Sequence, residues 1–156
     1  MNKDRYLAAL DVCRKHAKRL RWALDSLRPR FPLAPSDLDL LSDKEHAIID
    51  QFVLRFSKLQ DTMGARLFTA LLDLLQEPGE LDAFIDKLNR LEKLGAISSA
   101  LLWQRFREMR NQFAHDYPEE PEIQASLLNK GFELAEDLLV SLADVEAFAE
   151  RYITER

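Results

Sequence analysis

Only one cysteine, Cys13, stands in 156 residues, which excludes an internal disulfide and any zinc site built from paired cysteines. Four glycines and six prolines are too few and too scattered for a phosphate-cradling glycine loop or a low-complexity segment. No alternating apolar–polar run and no Asn-Gly or Asp-Gly turn marks a β-hairpin. Charges break every apolar run well short of membrane-spanning length, so no membrane segment is expected. The opening Met-Asn-Lys-Asp-Arg-Tyr has no apolar stretch, which predicts no signal peptide and a cytoplasmic location. No His-Glu-x-x-His, EF-hand or nucleophile-elbow pattern occurs, so neither a metal nor another cofactor is expected. His16 and His46 stand alone on separate segments, and Asp37, Asp39 and Asp43 read as turn and cap residues.

What is present is apolar and charged in balance. Hydrophobic residues make up 47% and charged residues 31%, enough to build one folded domain over residues 1–156. The net charge is −5, but it is unevenly spread. Residues 1–30 hold nine Lys/Arg against three Asp/Glu, and residues 119–156 hold three against ten. Two readings are open: two solvated helix faces, or a basic surface for nucleic acid beside an acidic surface for a basic partner.

The apolar spacing is helical throughout. A first helix is expected from about Asp4 to Leu27, with Tyr6, Leu10, Cys13, Ala17, Leu20 and Leu24 on one side. Pro29, Pro32 and Pro35 then end it and stiffen a linker. Ser42-Asp43-Lys44-Glu45 is a capping box opening a second helix that runs through Phe52, Phe56, Leu59, Met63 and Leu67 to Leu74 before Pro78-Gly79. A third, from Leu81 to Leu94, closes at Gly95. A fourth begins near Ser98 or Ser99, and a fifth runs from about Ile123 to Tyr152. The expectation is an all-α, antiparallel four- or five-helix bundle.

The fourth helix carries the chemistry. Arg110-Asn111-Gln112-Phe113-Ala114-His115-Asp116-Tyr117 sets a fixed cation, an amide, an imidazole and a phenol on eight consecutive residues. In a chain with this many Arg, His and Tyr, that spacing of all three is expected by chance only about 0.005 times from composition alone, and the match is then read in its structural context. On an ideal helix Leu102, Phe106, Met109 and Phe113 fall in a sector of roughly 60°, the expected core face. Ala100, Trp103, Arg107, Asn111, Ala114 and His115 fall on the other side, so Trp103, Arg107 and Ala114 are expected to form a homodimer interface. Arg110 and His115 lie about 140° apart on the same wheel, and a twofold axis is one way to unite their copies in one cleft.

The spacing Arg, four residues, His, one residue, Tyr resembles the signature of HEPN-domain ribonucleases, the HepT-like toxins in particular. Leu91-Glu92-Lys93-Leu94-Gly95-Ala96-Ile97, Leu102-Trp103 and Arg107-Glu108-Met109-Arg110-Asn111 look like that family's helix entering the motif, and Arg55-Phe56-Ser57-Lys58-Leu59-Gln60-Asp61 is similar to its long second helix. The likeness covers roughly residues 5–152. It implies a HEPN-like bundle and a homodimer with a composite site. It also implies metal-independent endoribonuclease activity as the toxin of a toxin–antitoxin pair, with RNA, tRNA among the candidates, as substrate. Arg110, His115 and Asn111 would be catalytic, with Asp61 and Asp116 in support. The cognate partner would be a minimal nucleotidyltransferase antitoxin that transfers AMP to Tyr117. HEPN-like chains also serve as non-catalytic partner or nucleotide-binding modules for a nucleotidyltransferase, which is the alternative.

Overall fold

The computed structural model describes residues 1–76, 83–115 and 119–154. The expected turn at Pro78-Gly79, the helix start at Leu81, and Asp116, Tyr117 and Pro118 lie outside the described residues. The described residues are helical and contain no strand. Six α-helices are seen: α1 (Asn2–Leu27), α2 (Asp43–Thr62), α3 (Phe68–Leu74), α4 (Phe84–Leu94), α5 (Ala100–Ala114) and α6 (Pro121–Thr154). None is long and apolar enough to cross a membrane.

α1 packs most extensively on α2 and also meets α3 and α6, while α5 lies against α2, α4 and α6. The core stripe of α1 is Tyr6, Ala9, Leu10, Cys13, Leu20, Ala23, Leu24 and Leu27. Ala17, expected in that stripe, is only partly buried. Burial pushes the Cys13 thiol up to about 12, so this cysteine is an unreactive core residue at neutral pH.

The linker after α1 is held, not loose. Asn129 clasps Leu33 reciprocally: its Oδ1 accepts from the Leu33 N–H at 2.7 Å and its Nδ2 donates to the Leu33 carbonyl at 2.9 Å. Phe31 stacks on Phe132 with centroids 4.4 Å apart. The capping box of α2 forms as expected, with the Ser42 hydroxyl accepting from Glu45 N–H at 3.1 Å and Glu45 accepting from Ser42 N–H at 3.0 Å. Glu45 also takes Arg30 in a two-pronged pair, which ties the linker to that cap.

The expected second helix is one path with a defect in it. Met63–Leu67 is a π-turn between α2 and α3. Such turns insert a residue into the helical ladder and recur beside functional sites. α4 ends at Gly95, whose φ of +90° is the left-handed cap that glycine adopts without penalty. Ser99 caps α5, its hydroxyl accepting from Leu102 N–H at 3.0 Å, and the Glu92 carboxylate accepts from the Ala100 N–H.

The two ends of opposite charge meet each other. Arg14 forms a two-pronged pair with Glu146, at 3.2 and 3.0 Å, and Arg21 and Arg28 both reach Glu136 at 2.8 Å. The basic face of α1 is therefore partly neutralised by the acidic face of α6, and neither reading of the charge asymmetry describes it fully.

Candidate functional site

The site is built where α5 crosses α2 just ahead of the π-turn. Arg110 and Asp61 form a fork-to-carboxylate pair there. Arg110 Nε donates to Asp61 Oδ1 at 2.9 Å and Nη2 donates to Oδ2 at 3.1 Å. The pair raises the already high pKa of Arg110, chiefly through the hydrogen bond to Asp61. Two of the three guanidinium nitrogens are thus committed to orientation, and Nη1 keeps no partner among the described residues.

Arg110 stands on a ridge between two clefts. One, of about 420 Å³, is lined by Gln60, Asp61, Gly64, Phe84, Arg107 and Arg110. The Arg107 guanidinium sits over the Phe84 ring, 5.6 Å from its centroid. Gln60 is the one polar residue in the buried core of the described chain, and its amide makes no hydrogen bond among the described residues. Gly64 leaves room for this packing: a Cβ there would come within 3.3 Å of the Trp103 ring. The second cleft, of about 970 Å³, is lined by Asp50, Ser57, Arg110, Phe113, His115 and Glu119, among others.

His115 reaches that cleft because it is no longer helical. α5 stops at Ala114, and His115 is its C-cap with φ −98° and ψ 148°. The 140° separation from Arg110 on a helical wheel does not apply to a residue beyond the helix end, and both side chains line the same cleft. For the same reason Asn111 and His115, placed on one side of the helix by the wheel, do not share a helical face. Asn111 is exposed on α5 and lines neither cleft.

The interface expectation needs correction at Trp103. This residue is 1% exposed, packed at 4.6 Å from Phe68 and edge-on at 5.7 Å to Phe106. Ala100 is buried as well. The wheel assumed one covered side, whereas α5 is covered from α2, α4 and α6, and α3 contributes Phe68. The buried stripe of α5 is Ala100, Trp103, Phe106 and Met109, with Leu102 and Phe113 partly buried. Trp103 is a core residue of its own bundle. Arg107 and Ala114 are exposed.

The pairing of Asp61 with Arg110 was visible in the sequence only through family resemblance. Gln60 was missed, although a polar residue among Phe56, Leu59 and Met63 is itself a signal. Phe84 had no signal in the sequence. Asp116 and Tyr117, the remaining site candidates, lie outside the described residues. Among the described residues no group of three His, Cys, Asp or Glu is placed to hold a metal ion. Comparison of the chain with protein-family models, with curated proteins and with solved structures finds no match.

Proposed function

We propose that this chain is a HEPN-like endoribonuclease, the toxin of a toxin–antitoxin pair, cleaving RNA at Arg110 and His115 without a metal. The observation that carries the reading is the shared cleft. A guanidinium locked in place by Asp61 and an imidazole at a helix end face one open groove.

RNA brings its own nucleophile, the 2′-hydroxyl. His115 takes the proton from that hydroxyl, or gives one to the departing 5′-oxygen. Attack on phosphorus forms the new 2′-oxygen bond as the bond to the 5′-oxygen breaks, leaving a 2′,3′-cyclic phosphate and a 5′-hydroxyl. Arg110, with Nη1 unpartnered, stabilises the charge that builds on the phosphorane oxygens. Asp61 fixes the plane of that guanidinium. A base and an acid are both needed, and a homodimer supplies two copies of His115. The exposed outer face of α5, with Arg107, Asn111 and Ala114, is available for such pairing. Asn111 would then reach the phosphate from the second copy. Tyr117 is the position at which a minimal nucleotidyltransferase antitoxin would add AMP, a negative charge two residues from His115 in the sequence that would repel RNA.

The test incubates the purified chain with total RNA and with tRNA in EDTA, beside Arg110→Ala and His115→Ala. Cleavage by the wild type alone, leaving cyclic-phosphate ends, supports the reading. Intact RNA with a folded chain would replace it with the non-catalytic partner module of a nucleotidyltransferase.

A further inference from the structure

We propose a second binding site, for a nucleoside phosphate, in the groove between α1 and α2. The groove encloses about 490 Å³ and is lined by Arg19, Trp22, Lys44, Ala47, Gln51 and Arg55, together with Ile48. That volume falls in the range of small-molecule sites.

Its charge is unbalanced. Three cations line it and no carboxylate does. Other arginines of α1 and the linker that follows it are neutralised: Arg14 by Glu146, Arg21 and Arg28 by Glu136, Arg30 by Glu45. Arg19 and Lys44 have no acidic partner among the described residues. Arg55 spends one nitrogen on a neutral group, its Nη1 donating to His16 Nδ1 at 2.9 Å. Burial first, then Arg55 and Lys58, lower the His16 pKa, which disfavours a further positive charge here, and an imidazole in neither form carries the negative charge that would answer these cations. Arg55 Nε is buried without an acceptor. A cluster of this kind calls for an anion with several oxygens.

The aromatic element narrows the anion. Trp22 is 51% exposed, while the other tryptophan is in the core. An open indole beside unpaired cations is the combination that stacks a base and holds its phosphate. A bare anion leaves the indole unused, and an uncharged ring leaves the cations unanswered. The residues lining this groove include none that line either cleft beside Arg110, and on α2 they sit about 100° around the helix from Asp50, Ser57 and Asp61. The groove is therefore separate from the Arg110 cleft. Its ligand is either a free mononucleotide or one nucleotide of an RNA strand, and the two share this chemistry.

The test is tryptophan fluorescence of the full chain titrated with AMP, with hexaadenylate and with inorganic phosphate. Trp22 is the accessible indole and serves as reporter. AMP is expected to quench saturably, and phosphate to compete without quenching. Arg19→Glu with Lys44→Glu should weaken AMP at least about tenfold. Both positions are exposed, and Glu in the first turn of α2 suits the helix dipole, so the variant keeps its fold. Arg110→Ala and His115→Ala should quench like the wild type, which separates this site from the ribonuclease reading. Hexaadenylate tighter than AMP assigns the groove to a strand, and equal or weaker binding assigns it to a free nucleotide. No saturable quenching by either, or quenching untouched by the charge reversal, overturns the proposal.

Discussion

Asp61 and Arg110 face each other across the seam of α2 and α5, joined by two parallel hydrogen bonds of 2.9 and 3.1 Å. They are 49 residues apart in the chain, and one is the cation of the motif. Their side chains are 43% and 34% exposed, so water screens the pair and its worth to folding is small, about 0–1 kcal/mol. Its consequence is orientation. On the proposed mechanism, Asp61→Asn is expected to lower the rate of RNA cleavage about tenfold or more, by freeing the guanidinium assigned there to the transition state. The melting temperature should fall by no more than about 4 °C. Asp61→Glu should restore part of the rate. Single-turnover cleavage beside a thermal melt reads both, and an unchanged rate in Asp61→Asn would remove Asp61 from the site.

Trp103 distinguishes a core residue from an interface anchor. Its ring packs between Phe68 and Phe106 and is 1% exposed. Trp103→Ala is expected to cost about 3–5 kcal/mol of folding stability through the cavity it leaves. Urea unfolding measures this. A variant that keeps its stability and merely loses an associated state would return Trp103 to the interface.

Much of the helical layout was legible because local chemistry dictates it. The Ser42–Glu45 capping box, the left-handed Gly95 and the Ser99 cap all mark ends that the structure keeps. The π-turn at Met63–Leu67 was not, since an apolar stripe at helical spacing runs through it without a break. Faces were less legible than ends. A wheel knows only the period of a helix, and Trp103 was misplaced because α5 is covered from more than one side. His115 was misplaced for a different reason: it lies one residue past the end of α5, where the wheel has no meaning. The charge asymmetry was plain in the sequence, but the meeting of α1 with α6 that partly consumes it depends on tertiary packing.

Gly131 sets the distance between α5 and α6. A Cβ at this position would lie 2.5 Å from Phe113 Cζ. Phe113 cannot yield freely, because it is edge-on to both Phe52 and Phe56, at 5.9 and 5.5 Å. Gly131→Ala is expected to destabilise by about 1–3 kcal/mol through overpacking, despite the better helix propensity of alanine. Phe113 also lines the cleft shared by Arg110 and His115, so cleavage should fall along with stability. A denaturant midpoint at or above the wild type would show that α6 can shift to accept the methyl group.

Glu45 gives the fold an acid-sensitive tie. The Arg30 guanidinium, followed by the Ser42 backbone N–H, holds its carboxyl down to about 2. The unfolded chain has the ordinary carboxylate value of about 4.3. A depressed folded-state value means that the unfolded state binds the proton more readily. The stabilisation is therefore present above the ordinary value and is lost as pH falls from there towards 2. The pair is partly open to water, so the effect is modest and falls with salt. Glu45→Gln keeps the shape of the cap but cannot ionise. Thermal melts of the two proteins should differ at neutral pH, with the wild type higher, and should draw together as pH falls from the ordinary carboxylate value, converging only at about 2, where folded Glu45 itself takes up a proton. A constant difference across the acid range would mean that the cap geometry, rather than the charge shared with Arg30, ties the linker to α2.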